Sequence, residues 1–240
     1  MKKVVFLFVL FLVSKNLKAQ SIPLGSLDFK DERLRNEQLL GKNKSENSFT
    51  IRPLLIENDS INTNKIQFSY LPITLNQQYN TLAPFGRNDG AMIPAKGYQM
   101  KLNAGFTVKY NHFNFRFNPE YVYAENLAFE LFPTYVVSRV RLGYLNYLNN
   151  YDIPERLGVT AYKKIFWGQS ALNYSIGKVN FGISNENLWW GPGKYNSLIM
   201  SNNAPGFVHF TFNSVKIDLP LASPKHGFGF VVKLFLTACM

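Results

Sequence analysis

The sequence is poor in cysteine, in charged residues and in long apolar runs. Its one cysteine, Cys239, has no partner within the chain, which excludes a disulfide-stapled scaffold. Charged residues make up 17% of the chain, below the roughly 25% that is usual in soluble domains. A mean hydropathy of −0.11, and the lack of any apolar run long enough to cross a bilayer as a helix, exclude a bundle of membrane helices.

Apolar and aromatic residues are abundant instead. Of the 240 residues, 46% are hydrophobic and 15% are aromatic, with 21 Phe and 13 Tyr. This apolar content offsets the entropy of ordering the chain, so disorder is excluded for most of its length. Many aromatics, few charges and a hydropathy near zero favour a β-rich protein whose strands alternate apolar and polar residues.

The first 19 residues have the three parts of a secretory signal peptide. Lys2 and Lys3 form a basic start, residues 4–13 are an unbroken apolar run, and a short polar stretch ends at Ala19. The pattern predicts export and cleavage after Ala19. A buried N-terminal strand is the alternative interpretation.

The net charge is +11, and four of the lysines lie in the predicted leader. The remaining excess is spread along the chain, which suits contact with anionic lipid or anionic glycan. An exported protein rarely meets nucleic acid, and the chain has no run of about five or more basic residues. A nucleic-acid partner is therefore not expected.

Two long segments alternate strictly between apolar and polar residues. They are residues 98–110 and 113–123, joined by an Asn111-His112 turn. Strands in globular proteins are usually about five or six residues long, whereas crossing a bilayer takes about 9–11. The segments predict an all-β, antiparallel barrel of the transmembrane type, entered by one long hairpin. A soluble β-sandwich, which also alternates, is the alternative. Three basic side chains are expected on the lumenal face: Lys101, Lys109 and Arg116.

The remaining pattern predicts shorter elements. Ser26 and Gly41 suit the cap and the end of a short surface helix over residues 27–40, which a polar linker follows at residues 42–47. Residues 127–160 are less regular and contain either a helix, within residues 135–151, or an extracellular insertion. About seven to nine strands are predicted in all. Those not yet named are residues 49–56 broken at Pro53, 65–70, 169–176 and 178–184 around a Gly177-Lys178 turn, 207–212 and 226–236.

The most unusual segment is residues 182–207, GISNENLWWGPGKYNSLIMSNNAPGF. Aromatic faces stack on sugar rings, while amides and carboxylates bind sugar hydroxyls, so this composition suits glycan binding. An interfacial aromatic belt with Asx turns that close loops is the alternative. The candidate glycan-binding residues are Trp190, Asn185, Glu186, Asn187, Asn202 and Asn203. A structural role, around a tight turn, is assigned to Trp189, Gly191, Pro192 and Gly193.

Catalytic patterns are weak. Three carboxylates, Glu120, Glu125 and Glu186, have no spacing that requires a glycosidase pair, and solvated or lumenal carboxylates are the simpler interpretation. The three histidines are isolated and lack metal-ligand spacing. Neither a P-loop, a nucleophile elbow nor a dinucleotide fingerprint is present. The sequence therefore predicts a protein without enzymatic activity, metal or cofactor.

Several longer blocks of sequence resemble the capsule assembly Wzi family. They are SFTIRPL (48–54), LPITLNQQYNTLAPFGRNDGAMIPAKGYQ (71–99), FNPEYVYAEN (117–126) and the segment 182–207. The W-W-G-P-G and S-N-N-A-P-G-F blocks within the last segment are the most specific. Together the blocks span roughly residues 20–214.

The resemblance implies a function. Members of that family are outer-membrane β-barrels of about eighteen strands with a small periplasmic helical region, and they act as non-enzymatic lectins that hold capsular polysaccharide at the cell surface. For this chain it implies export to the bacterial outer membrane and a monomer whose partners are capsular or exopolysaccharide and outer-membrane lipid. A porin-like or purely structural barrel is the alternative. The implied division is a signal peptide at 1–19, a helical periplasmic segment with a linker at 20–47, and a barrel portion at 48–240.

Three features depart from what the resemblance implies. Family members are longer, and after Ser214 this chain reads VKIDLPLASPKHGFGF where the family continues differently. The chain also ends in Ala-Cys-Met, whereas outer-membrane barrels usually end in an aromatic residue. These departures predict a truncated copy in which the C-terminal part of the barrel is missing.

Overall fold

The computed structural model describes residues 18–22, 28–42, 49–58, 65–150, 154–176, 179–214, 217–219, 228–230 and 233–236. These residues are mostly antiparallel β-structure, with two helices among them. The predicted signal peptide lies outside the described residues except for residues 18–19, which begin the first strand. The predicted linker beyond residue 42 and the Gly177-Lys178 turn also lie outside them.

The elements follow in chain order. The helices are α1 (Asp28–Leu39) and α2 (Ser138–Asn150). The first strands are β1 (Lys18–Ile22), β2 (Ile51–Arg52), β3 (Leu54–Asn58), β4 (Gln67–Tyr70), β5 (Thr74–Phe85), β6 (Ala95–Asn103), β7 (Phe106–Tyr110), β8 (Phe113–Phe117) and β9 (Glu120–Ala124). The later strands are β10 (Tyr162–Phe166), β11 (Ala171–Ile176), β12 (Val179–Ser184), β13 (Trp189–Trp190), β14 (His209–Ser214), β15 (Ile217–Leu219), β16 (Phe228–Phe230) and β17 (Lys233–Leu236).

Both helices lie where the sequence allows them. α1 falls within the predicted residues 27–40 and ends before Gly41, whose positive φ of 67° suits a helix stop. The N-terminal segment also breaks into β2 and β3 at Pro53, as predicted. α2 lies in the irregular stretch, so the helix is the correct alternative there. Neither described helix is long and apolar enough to cross a membrane.

The prediction of one uninterrupted strand over residues 98–110 is wrong, and so is that over residues 113–123. Each is divided into two strands, β6 with β7 and β8 with β9. The breaks face each other, because Gly105 lies against the backbone of Phe117 and Asn118. Pro119, which follows Asn118, has no N–H to offer a ladder. The alternation of faces continues through the break, so the sequence pattern did not reveal it.

The strands form two main antiparallel sheets. The small sheet has the order β10-β9-β6-β5, and the large sheet has the order β17-β14-β12-β11-β8-β7-β4. Four passes of the chain run through both sheets, since β4, β7, β8 and β11 continue into β5, β6, β9 and β10. Within the described residues the pairings leave open edges and form no closed barrel. The long connecting segments 86–94 and 125–161 both leave the same end of the small sheet.

The large sheet has the opposite polarity to a sheet of a soluble protein, because its buried face is polar and its other face is apolar. One row of paired residues on its buried face is Thr107, Arg116, Ala171, Ser184 and His209. The next row faces the other way and consists of Val108, Phe115, Leu172, Ile183 and Phe210. Because strand side chains alternate between faces, the period-two sequence pattern produces both rows.

Burial across the described residues follows the same inversion. Twenty-one polar or charged residues are buried, compared with nine hydrophobic residues. Thirty-six large hydrophobic residues are exposed. Lys101 and Arg116 are buried and Lys109 is half-buried, while the lumen that they are expected to face stays a prediction. The apolar core of the described residues consists of two small clusters: Ala91 and Met92 pack on Val122, and Ile93 packs with Ala95 and Ala124. Most of the apolar surface is thus turned outward.

The close approach at the strand break can be tested by adding one methyl group. A Cβ atom at Gly105 would overlap Phe117 O and lie 2.8 Å from Asn118 Cα. We expect Gly105→Ala to lower the free energy of unfolding by about 1–3 kcal/mol, measured by thermal unfolding in detergent micelles. The matched control is Gly143→Ala in α2, where no atom lies within 4 Å. That substitution should be neutral or stabilising by about 0.5–1 kcal/mol. Equal melting temperatures for the two variants would contradict the packing described.

Candidate functional site

Segment 182–207 crosses the polar side of the sheets and is fixed at Trp189 and Trp190. These residues form β13, which pairs with β2 so that Trp189 lies opposite Arg52. On the other side, the Trp190 N–H donates to Ile199 O at 3.0 Å and the Leu198 N–H donates to Trp190 O at 2.7 Å. The segment is therefore held by backbone ladders on both edges of one short strand.

Trp189 is the largest fully buried side chain among the described residues, with 2% of its surface exposed. Its indole Nε1–H donates to Gly193 O at 3.0 Å, and the Arg52 guanidinium lies 6.0 Å from its ring centre. Gly191 has φ 136°, a conformation that side chains rarely adopt. The glycine turn therefore closes over the indole and satisfies its N–H. Trp190 is only half-buried.

Glu186 lies inside the protein, in an ion pair with Arg116. The exposed fractions of the two side chains are 4% and 5%. The Ser184 hydroxyl donates to Glu186 Oε2 at 2.9 Å, and Arg116 Nε donates to Gln169 O at 3.1 Å. The carboxylate thus fastens the segment to strand β8 of the large sheet.

A second buried cluster surrounds Asn187. Gln169 accepts from the Asn187 backbone N–H at 3.0 Å and donates to Asn187 Oδ1 at 2.7 Å. Glu120 Oε1 accepts from Asn103 Nδ2 at 3.0 Å. These reciprocal bonds satisfy buried amides that would otherwise destabilise the fold. Glu125, the other carboxylate noted in the sequence, lies apart and accepts from the Tyr98 N–H at 2.7 Å.

The remaining candidate residues differ in their exposure. Asn185 is half-buried, and its Nδ2 donates to Gly168 O at 3.2 Å. Asn202 is buried and donates to Asn88 O at 3.0 Å, while Asn203 is exposed and accepts from the Asn88 N–H at 2.6 Å. Only Asn203 and the half-buried Asn185 and Trp190 are therefore accessible to a ligand. Their contact with glycan stays a prediction.

Three chain segments enclose a cleft of about 1130 Å³ at the end of the small sheet. Its walls are the β5–β6 connection and the β9–β10 insertion, and Asn203 and Ala204 line its edge. The Phe132 and Tyr144 rings stack inside it, 4.3 Å apart and 13° from parallel. Glu155 Oε1 accepts from the Phe132 N–H at 2.6 Å and from the Tyr144 hydroxyl at 3.4 Å.

The electrostatics of the cleft are dominated by acidic groups. Burial raises the pKa of the Asp89 carboxyl above its ordinary value, although the nearby Lys101 ammonium opposes that rise. Burial, and then the charge of Glu155, raise the pKa of the Tyr144 phenol. Lys101 Nζ donates to Asp89 O at 2.7 Å. The cleft therefore has carboxylates and a stacked aromatic pair along one open groove.

Sequence reasoning selected only Asn203 among the cleft residues. Most of the others lie in the β5–β6 connection and in the irregular stretch, where no periodicity marks them, while Pro84 and Phe85 end β5 and Ala204 follows Asn203. The local signal that was available is Phe129-Glu130-Leu131-Phe132-Pro133, which combines aromatic rings with a carboxylate. Among the described residues, no three His, Cys, Asp or Glu side chains gather as metal ligands would.

Comparisons of the chain with known proteins give no relative. Neither a protein-family model, nor a curated protein, nor a solved structure matches it.

Proposed function

We propose that this chain is a non-catalytic outer-membrane protein that retains or assembles capsular or exopolysaccharide at the cell surface. The reversed polarity of its sheets is the observation that carries the proposal. Water would penalise a sheet face on which Phe113, Phe115, Leu172, Ile183 and Phe210 are exposed. Lipid favours such a surface, and strands of membrane barrels place apolar residues outward and polar residues inward.

The outward face also changes in composition along the chain passes. On the large sheet it carries Phe, Leu, Ile and Val, as in the row from Val108 to Phe210. On the small sheet it carries tyrosines, including the Tyr79–Tyr98 pair and Tyr123, with the Lys163 ammonium 5.7 Å from the Tyr123 ring. Tyrosine and lysine beside an apolar band are typical of the boundary between lipid and water.

The cleft at the end of the small sheet supports the polysaccharide part of the proposal. Its volume of about 1130 Å³ is slightly above the roughly 300–1,000 Å³ that is usual for ligand pockets. Its aromatic pair can stack on sugar rings, and its carboxylates can accept from sugar hydroxyls. The non-catalytic part is supported by Glu186, which is neutralised by Arg116, and by Glu120, which is engaged by amides. A general acid or base must reach its substrate.

The test uses the full chain folded in detergent and then placed in liposomes. Folding is followed by heat-modifiable gel mobility, polysaccharide retention by pull-down with capsule polymer from the host bacterium, and pore formation by liposome conductance. We expect retention of polymer without steady ion conductance, because the polar face is occupied by internal hydrogen bonds such as those of Gln169 and Asn187. Conductance without retention would establish the porin-like alternative.

A further inference from the structure

We propose that the cleft at the end of the small sheet selects sugar residues that are uncharged or carry a free amine, and excludes acidic sugars. This inference rests on the proposed function and names the ligand class of its site. It runs against the charge of the whole chain, which is +11 and by itself would favour an acidic polymer.

The charge of the cleft is opposite to that of the chain. Three carboxylates line it, on Asp89, Glu130 and Glu155. Two cations oppose them, the Arg87 guanidinium in the lining and the Lys101 ammonium, which donates to Asp89 O at 2.7 Å, so the formal balance is one negative charge. Arg87 Nη2 donates to Asn196 Oδ1. One N–H group of the Arg87 guanidinium is therefore directed toward segment 182–207. A uronate or another acidic sugar would bring a further negative charge close to these carboxylates.

The arrangement of the cleft also suits a sugar ring. Glu155 holds the Phe132 backbone and the Tyr144 hydroxyl with one oxygen, so the stacked pair is fixed in orientation. The two rings cover each other's facing sides, so a sugar would stack on the outer face of one of them, and carboxylate oxygens beside it would accept from hydroxyls or from an ammonium group. An amine on the sugar would thus replace water at the carboxylates and gain a charged hydrogen bond.

The experiment compares three oligosaccharides of matched length with the full chain in detergent micelles. They are oligomers of glucosamine, of N-acetylglucosamine and of galacturonate, and binding is measured by titration calorimetry at fixed salt. We expect the glucosamine oligomer to bind most tightly, the N-acetylated oligomer less tightly and the galacturonate oligomer least. Raising the salt concentration should reduce the difference in affinity between the glucosamine and the galacturonate oligomers.

Two variants and a control assign the preference to the cleft. Glu130→Gln keeps the size of an exposed side chain and removes its charge. At about 6 Å in water this should weaken glucosamine binding about threefold and strengthen galacturonate binding about threefold, so the preference should fall about tenfold. Tyr144→Ala removes one ring of the stacked pair and should weaken the binding of all three oligomers about tenfold or more. Glu32→Gln, on α1 and outside the cleft lining, should leave the preference unchanged.

The outcomes separate this inference from the proposed function. Equal or tighter binding of the galacturonate oligomer, or an unchanged preference in a folded Glu130→Gln protein, overturns the inference while retention of capsule polymer upholds the function. If the folded protein binds neither the oligomers nor the polymer, both fail. Heat-modifiable mobility identifies any variant that has not folded.

Discussion

Replacing Glu186 with alanine is expected to destabilise the protein by about 3–5 kcal/mol and to prevent assembly. The substitution leaves the positive charge of Arg116 buried without its carboxylate, in a place where the side chain is only 5% exposed. Desolvation of that charge is then no longer offset. The Ser184 hydroxyl also loses its acceptor. Loss of heat-modifiable mobility and of the cooperative unfolding transition would show the effect.

Two further variants test whether the loss of stability in Glu186→Ala comes from the burial of the ion pair or from the loss of an ion pair as such. Glu32→Ala removes the exposed pair with Lys194, whose atoms are 3.1 Å apart, and should cost no more than about 1 kcal/mol. The double variant Arg116→Met with Glu186→Leu removes both buried charges, so it should recover much of the stability lost in Glu186→Ala. A Glu186→Ala protein as stable as Glu32→Ala would contradict the buried pair.

Replacing Trp189 with alanine is the other change with a large expected effect, about 3–5 kcal/mol. The indole is 2% exposed, and its removal leaves a cavity beneath the glycine turn and an unsatisfied Gly193 carbonyl. Chemical unfolding in detergent measures the loss. Trp167→Ala is the matched control, because the same change is made at a residue that is 68% exposed. Similar losses for the two variants would contradict the buried role of Trp189.

Trp190 provides the complementary comparison. Its ladder bonds to Leu198 and Ile199 are made by the backbone, so Trp190→Ala should keep the fold. If the half-buried ring contacts glycan, the variant should bind polysaccharide more weakly by roughly 1–3 kcal/mol, which is the contribution of an aromatic side chain stacked on other flat ligands. Loss of folding and retention together would count against a ligand role for this residue.

Local pattern was sufficient for several elements. The helix over residues 27–40, the break at Pro53 and the hairpin of β11 and β12 follow from caps, proline and period-two alternation. The outward apolar face and the inward Lys101 and Arg116 follow from the same alternation. The segment 182–207 was also distinguished, although its buried Glu186 and Asn187 form internal bonds that composition did not predict.

The sequence by itself predicted seven to nine strands, whereas the described residues form seventeen. It determined the alternation of polar and apolar faces and the glycine turn after Trp190, because these depend on residues close together in the chain. Only the tertiary structure decided where the strands break, which charges pair and which loops enclose the cleft. Gly105 meets Phe117 across a hairpin, Arg116 reaches Glu186 across 70 residues, and Phe132 stacks on Tyr144 beside Asp89. Such contacts depend on the register and spacing of distant segments, which an alternating pattern leaves unspecified.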